Sequence, residues 1–306
     1  VKMKIAIITS RYPSLGNPYN HMFVHMRSKE FVRLGEKLEV FVPSRKTYEY
    51  VFEGISVKHM PSKDMIQYLS DYDVLYLHLL HIYPFMHQDG WPIYKAITQK
   101  KFLFAMYIHG SEATFFKDRF FGKKYQLRDI ISWLRKDLFH MPIIKSFFSK
   151  SNKGVVITPS FWMKKQINIT FNYDNIYVVP NGIDVDLFKF KSIGFGTKII
   201  AVRPLGDKLY DIESTLEVLS LLPENYTLDI YGKGRFVNYY NNLIIDKGLS
   251  TRVKIINQYI ERNKMPNLFH NYNCFLSTTK VDTQGVTMLE AKSSGLLTAA
   301  INNSSK

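Results

Sequence analysis

Two carboxyl side chains stand eight positions apart in a glycine-containing stretch near the carboxyl end. The stretch runs from Asp282 to Glu290 as Asp-Thr-Gln-Gly-Val-Thr-Met-Leu-Glu and continues to Gly295. Backbone amides at 285–287 would begin a helix, and free amides at a helix start bind anions. A helical carboxylate facing a cleft, such as Glu290, can accept both hydroxyls of a ribose. Without the glycines, a surface acid and a capping acid would explain the pair equally well.

Basic residues and glycines follow two earlier predicted strands of the same half. Arg203 and Lys208 share one short loop after Lys198–Val202. A guanidinium fork and an ammonium group together can bind a diphosphate. Gly232 and Gly234 follow the next strand, where glycine lets the backbone approach a ligand closely. Each loop alone would also fit a solvated turn.

Histidine and cysteine patterns predict no metal site. His109 follows a predicted strand, where it could bond a substrate hydroxyl or phosphate. His21 and His25 are four apart, but the glutamate of a zinc-protease helix is missing between them. The single cysteine, Cys274, fits a buried core thiol and excludes an intrachain disulfide. We therefore expect neither a metal nor another resident cofactor.

Short β-branched or aromatic runs alternate with longer mixed runs, which predicts strands separated by helices. In the first half the predicted strands are Lys4–Thr9, Leu38–Val42, Val74–His78, Phe102–Ile108, Val155–Thr158 and Ile176–Val179. In the second half they are Lys198–Val202, Thr227–Tyr231, Val253–Ile256, Asn273–Ser277 and Leu297–Ile301. Two such series predict an α/β protein with two doubly wound parallel sheets, whose ligands bind at the carboxyl ends of the strands.

Turn-forming residues separate the two series. Pro180, Asn181 and Gly182 follow the last strand of the first series. We predict a first domain over 1–183, a linker over 184–196 and a second domain over 197–306.

The chain is basic, and most of the excess lies in its first part. It has 306 residues, with 41 Lys and Arg against 26 Asp and Glu. Residues 1–190 contain 27 basic and 16 acidic residues, and Lys117–Lys153 alone contains 10 and 3. That segment also carries aromatic residues, so it could lie on an anionic lipid surface. An ordinary helix with inward-packed aromatics is the equal alternative, and a nucleic-acid surface is disfavoured because no binding motif accompanies the charge.

No targeting or spanning segment is apparent. The first apolar run, Lys4–Thr9, is too short for a signal peptide, and no run approaches the roughly 18 residues of a membrane span. We expect a cytoplasmic protein, with peripheral contact to the inner face of the cell membrane.

Together these loops resemble the family-4 retaining glycosyltransferases, the glycosyl transferases group 1, over nearly the whole chain. The most specific motif is Asp282 to Gly295, supported by Val179-Pro-Asn-Gly-Ile-Asp184, by Gly232-Lys-Gly234 and by Ile108-His-Gly-Ser-Glu112. The family normally has glutamate where this chain has Asp282. The resemblance implies the GT-B fold, in which two Rossmann-like domains face a central cleft.

The resemblance also assigns roles to individual residues. It implies catalytic roles for His109, Arg203, Lys208, Asp282 and Glu290. It implies substrate contacts from Gly16, Gly232, Gly234, Gln284, Gly285, Val286 and Thr287. In this assignment Glu290 binds the nucleotide ribose, Arg203 and Lys208 bind the diphosphate, and His109 lies beside the donor sugar. UDP is the expected nucleotide, and no metal is implied.

The implied reaction transfers a sugar from a nucleotide-sugar donor to a hydroxyl, with retained anomeric configuration. The expected acceptor is a glycan or lipid-linked molecule of cell-surface polysaccharide or glycolipid synthesis. The chain stops at Lys306, where relatives continue with a glycine-rich loop, another strand and helices. A truncated, non-catalytic remnant that binds nucleotide or membrane is therefore the alternative. A GT-B sugar-nucleotide epimerase is a further alternative, disfavoured by the two-acid motif.

Overall fold

The structure, a computed structural model, describes residues 2–17, 20–119, 127–151 and 153–302. The described residues form two compact units, the first ending at Val179 and the second beginning at Pro180. The predicted linker, 184–196, lies within the second unit. The domain boundaries given above, 1–183 and 197–306, stay a prediction.

The described part of the first unit contains a sheet of eight strands. They are β1 (Lys4–Thr9), β2 (Lys37–Pro43), β3 (Tyr48–Phe52), β4 (Ile55–Met60), β5 (Val74–His78), β6 (Phe104–Tyr107), β7 (Gly154–Thr158) and β8 (Ile176–Val178). Their order is β3-β4-β2-β1-β5-β6-β7-β8. All neighbours are parallel except β3 and β4, an antiparallel hairpin that the sequence pattern did not predict.

Helices connect these strands. They are α1 (Met22–Arg33), α2 (Ser62–Met65), α3 (Trp91–Lys100), α4 (Leu127–Arg135), α5 (Met141–Lys150) and α6 (Phe161–Phe171). A single π turn, Lys136–His140, joins α4 to α5. Of the aromatics in the basic segment, Phe147 and Phe148 are buried in the core, whereas Phe120, Phe121 and Tyr125 lie outside the described residues.

The core of the first unit lies on both faces of the sheet. Ala6 and Ile8 of β1 pack into one hydrophobic cluster, and Ile5 and Ile7 pack into another. A central parallel strand is covered on both faces, which explains why its sequence is a continuous apolar run. Burial on both sides fixes the strand ends from which the site residues project.

The described part of the second unit contains a five-stranded parallel sheet. Its strands are β9 (Lys198–Val202), β10 (Thr227–Tyr231), β11 (Val253–Ile256), β12 (Cys274–Ser277) and β13 (Leu297–Ala300), in the order β11-β10-β9-β12-β13. The helices are α7 (Ile212–Ser220), α8 (Val237–Asp246), α9 (Met265–Phe269) and α10 (Val286–Ser293). The single cysteine, Cys274, begins β12 and is half-buried.

In each sheet, the strand order along the chain changes direction once. In the first sheet, β2 to β4 lie on one side of β1, and β5 to β8 lie on the other side. In the second sheet, β10 and β11 lie on one side of β9, and β12 and β13 lie on the other side. Ligands of α/β sheets bind at the carboxyl ends of the strands that flank such a reversal. The candidate residues are therefore found at two separate sheet edges.

Candidate functional site

A buried guanidinium occupies the switch point of the second unit. Arg203 comes directly after β9, and Ser277 ends the neighbouring β12. Arg203 Nη2 donates a hydrogen bond to Ser277 Oγ at 2.7 Å and lies 4.0 Å from Asp282 Oδ2. Burial lowers the pKa of Arg203, and the Asp282 carboxylate opposes that shift. A fixed, largely desolvated cation of this kind is suited to binding an anionic ligand.

Asp282 also shapes the turn that leads into α10. Its Oδ1 accepts hydrogen bonds from the Gln284 amide at 3.2 Å and the Gly285 amide at 2.8 Å. Gly285 has φ +65°, a left-handed conformation that glycine adopts readily. Its amide is thus already bonded, and Val286 and Thr287 supply the first helical amides at this end of α10.

The side-chain amide of Gln284 binds the turn around Asn181. Its Oε1 accepts from the Asn181 backbone amide at 2.6 Å and from Asn181 Nδ2 at 2.7 Å. Its Nε2 donates to the Asn181 carbonyl at 2.9 Å. The resemblance placed Gln284 among the substrate contacts, whereas the structure uses its side chain to join two loops. The sequence indicates a turn at Asn181 and places it in the motif Val179–Asp184, but it does not predict this contact with Gln284.

Lys208 lies in an acidic and aromatic environment. Its ammonium group contacts the carboxylate of Glu213, at the start of α7. The same group lies 5.1, 3.9 and 5.0 Å from the ring centroids of Phe236, Tyr239 and Tyr240. Cation–π attraction and the ion pair both favour this position. To bind a diphosphate, Lys208 would have to exchange Glu213 for phosphate.

Gly232 and Gly234 make room for the neighbouring loop. A Cβ atom on Gly232 would lie 1.8 Å from the carbonyl oxygen of Arg203, and one on Gly234 would lie 2.0 Å from the carbonyl carbon of Leu205. These loops are also bonded, since the Leu205 amide donates to the Lys233 carbonyl at 2.8 Å. The two glycines therefore allow the backbone approach that positions Arg203.

Glu290 forms a separate ion pair on α10. Arg262 donates to Glu290 Oε1 from Nε at 3.3 Å and from Nη2 at 3.2 Å. Arg262 Nη1 also lies 3.8 Å from Asp184 Oδ2. Burial raises the pKa of Glu290, Arg262 lowers it, and the Asp184 carboxylate raises it further. Neither Arg262 nor Asp184 was predicted as a site residue. Arg262 lies outside the motifs, and Asp184 ends the motif Val179–Asp184 without a ligand role implied by the resemblance.

In the first unit, a fully buried histidine and a half-buried one meet at the carboxyl edge. His78 ends β5, and His109 follows β6 by two residues. Their Nδ1 and Nε2 atoms are 3.0 Å apart, so one imidazole donates to the other. Burial lowers the pKa of both well below the usual range, with nearby Arg27 and His21 adding to the shift. His109 is thus a neutral imidazole that can donate or accept a hydrogen bond.

A buried carboxyl group organises the backbone of His109. The amides of His109 and Gly110 donate to Glu112 Oε1 and Oε2 at 3.3 and 3.0 Å. Burial raises the pKa of Glu112. Gly16, another predicted contact, lies in an exposed turn between β1 and α1. The structure therefore orders the His109 loop and leaves Gly16 at the surface.

Among the described residues, no group of three or more His, Cys, Asp or Glu side chains is arranged to bind a metal ion. Within the same ranges, no helix has the length and apolar character required to cross a bilayer.

Residues 194–305 match the family model described as glycosyl transferases group 1. A search of curated proteins by sequence finds no match.

The chain is also similar to solved structures. Sucrose-phosphate synthase (tll1590) from Thermosynechococcus elongatus is 13% identical, with a TM-score of 0.68 over 98% of this chain and 81% of the other. Anabaena Alr3699/HepE, in complex with UDP, is 14% identical, with a TM-score of 0.70 over 97% and 80%. The lipopolysaccharide outer core galactosyltransferase WaaB is 16% identical, with a TM-score of 0.65 over 97% and 80%. The predicted fold class, GT-B, is confirmed.

Proposed function

Because residues 194–305 match the family model of the glycosyl transferases group 1, we propose that this chain transfers a sugar from a UDP-sugar to an acceptor hydroxyl with retained anomeric configuration. The observation that carries the proposal lies within the matched residues. It is the buried Arg203 at the switch point of the second unit, bonded to Ser277 and facing Asp282. UDP is favoured because the HepE structures contain UDP or UDP-glucose.

The donor would bind along the carboxyl edge of the second sheet. We assign the diphosphate to Arg203 and Lys208, with the first helical amides of α10 as further donors. Glu290 would accept the ribose hydroxyls. Asp282 would contact the donor sugar with its carboxylate while its other bonds keep the turn in place. Gly232 and Gly234 would act indirectly, by allowing the loop of Arg203 to pack.

Catalysis would depend on stabilising the departing diphosphate. Bond breaking at the anomeric carbon places negative charge on the phosphate oxygens, and a fixed guanidinium lowers the energy of that charge in the transition state. The acceptor hydroxyl would attack the same face of the sugar through an oxocarbenium-like state. To His109, of the first unit, we assign a hydrogen bond from its neutral imidazole to a substrate hydroxyl.

A thermal-shift screen with UDP, GDP, ADP and CMP tests the donor site. A nucleotide at 100 times its Kd should stabilise the protein by about 2.7 kcal/mol. We expect a shift with UDP, lost in Glu290→Ala and kept in Glu217→Ala, which removes an exposed acid of the same unit. A shift with none of the four nucleotides would contradict the proposal. UDP binding without sugar transfer would support the non-catalytic alternative.

We further propose that the acceptor is a glycan or lipid-linked molecule met at an anionic membrane. The π-linked α4 segment presents an exposed apolar stripe, spaced four, three and four residues apart: Leu127, Ile131, Leu134 and Leu138. Exposed lysines lie before this segment, at 117, and after it on α5, at 145 and 150. An apolar stripe beside positive charge is typical of helices that lie on anionic lipid.

Vesicle flotation tests this surface. Ile131→Asp should reduce binding to vesicles containing anionic lipid, because a charge would enter the apolar stripe. Ile169→Asp is the matched control, since Ile169 is similarly exposed on a different helix, α6. Equal flotation of both variants and the unmodified protein would remove the membrane from the proposal.

A further inference from the structure

Glu290 depends on one neighbour for its geometry and charge. Its side chain is 10% exposed, and its Oε1 accepts both hydrogen bonds from Arg262. Among the described residues, none donates a hydrogen bond to Oε2. A carboxylate held through one oxygen leaves the second oxygen available to a ligand hydroxyl.

Arg262 is itself fixed from two other directions. It follows β11 in the turn Arg262–Lys264, just before α9. Its guanidinium lies 5.3 Å from the ring centroid of Phe188, which is fully buried, and Asp184 Oδ2 faces its Nη1 at 3.8 Å. An aromatic surface and a second carboxylate limit the positions that the guanidinium can adopt.

We propose that Arg262 is a positioning residue of the donor site, which orients Glu290 and keeps it ionised so that Oε2 can accept the ribose hydroxyls. This inference rests on the proposed role of Glu290. The charged groups that face Glu290 are Arg262, from the turn after β11, and Asp184, from the segment before β9. Without Arg262, burial and Asp184 would both favour the protonated carboxyl group, which is a poorer acceptor.

The test measures the Kd for UDP by calorimetry between pH 5.5 and 8. Because the terminal phosphate of UDP also titrates in this range, each variant is compared with the unmodified protein at the same pH. Arg262→Gln should bind UDP about tenfold more weakly for each pH unit below the raised pKa of Glu290, and its affinity should recover as the pH rises. Arg262→Lys should recover much of the affinity because it keeps the charge. Lys264→Gln, an exposed position on the same turn, is the control.

Glu290→Gln separates this inference from the proposed function. If Glu290→Gln binds UDP like the unmodified protein, the ribose assignment fails, and the role of Arg262 fails with it. If Glu290→Gln binds UDP weakly but Arg262→Gln binds it with normal affinity at every pH, only the role of Arg262 fails. If Arg262→Gln binds UDP weakly at every pH, and its loss of binding free energy adds fully to that of Glu290→Gln, Arg262 contacts the nucleotide directly. That result would overturn a positioning role. Circular dichroism of each variant verifies folding.

Discussion

Replacing Gln284 by alanine would remove the three hydrogen bonds that join the α10 loop to the turn at Asn181. Their lengths are 2.6, 2.7 and 2.9 Å. A typical intramolecular hydrogen bond contributes about 0.5–1.5 kcal/mol net, so three set a range of about 1.5–4.5 kcal/mol. Gln284 is half-buried, and water can replace part of what is lost. We therefore expect about 2 kcal/mol of local destabilisation, near the lower end of that range.

Hydrogen exchange measures this local effect. The Asn181 amide donates to Gln284 Oε1, so its protection reports the bond directly. A loss of about 2 kcal/mol corresponds to roughly 30-fold faster exchange. Peptides spanning 179–186 should show the change by mass spectrometry, whereas peptides from β9 should not.

Gln284→Glu is the matched variant. It keeps the oxygen that accepts from Asn181 but replaces the donor Nε2 with an oxygen that faces the Asn181 carbonyl. Protonation would restore a donor, so protection should increase as the pH is lowered. The reasoning is refuted if Gln284→Ala leaves exchange at 179–186 unchanged while weakening UDP binding. That result would mean that Gln284 contacts the nucleotide-sugar donor directly.

Three further predictions concern other parts of the molecule. Gly234→Ala should destabilise the second unit by about 1–3 kcal/mol in urea unfolding because its Cβ would meet Leu205, whereas Gly206→Ala, with its nearest neighbour at 3.8 Å, should have little effect. Arg203→Ala should lower kcat by roughly 30- to 1000-fold, equivalent to about 2–4 kcal/mol of lost transition-state stabilisation, and near-normal turnover would contradict its assignment. Burial lowers the pKa of His59 to about 4. Between pH 6.5 and 4 this imidazole is therefore protonated in the unfolded chain but neutral in the folded chain, so the stability of the fold decreases as the pH is lowered. His59→Phe, which can keep the stacking on Tyr48, should reduce that fall in thermal unfolding between pH 7 and 4.5.

The strands that surround the sites could be predicted because they are buried on both faces. The run Lys4–Thr9 is apolar for this reason, and β1 has the predicted bounds. The β3–β4 hairpin was missed because β3 is largely exposed at the sheet edge and lacks a long apolar run. Its turn, Glu53 and Gly54, has positive φ at both residues, and Gly54 was the available signal.

The side-chain partners at the donor site could not be predicted in the same way. Strand order brings Arg203 and the Asp282 loop to one switch point, because β9 and β12 are neighbours. The bond from Arg203 to Ser277 depends instead on rotamers and packing. The pairing of Lys208 with Glu213 has the same origin, since a loop sequence does not specify where a flexible side chain rests.

The ion pairs of the second unit have a consequence for selectivity. The cations proposed to bind or organise the donor face at least as many acids: Arg203, Lys208 and Arg262 against Asp282, Glu213, Glu290 and Asp184. These three cations therefore add no net positive charge to this edge. Inorganic phosphate could displace the acids from the cations but would leave those acids without partners. A molecule that combines phosphates with hydroxyl groups satisfies both, so the charge balance itself favours a sugar nucleotide over simple phosphate.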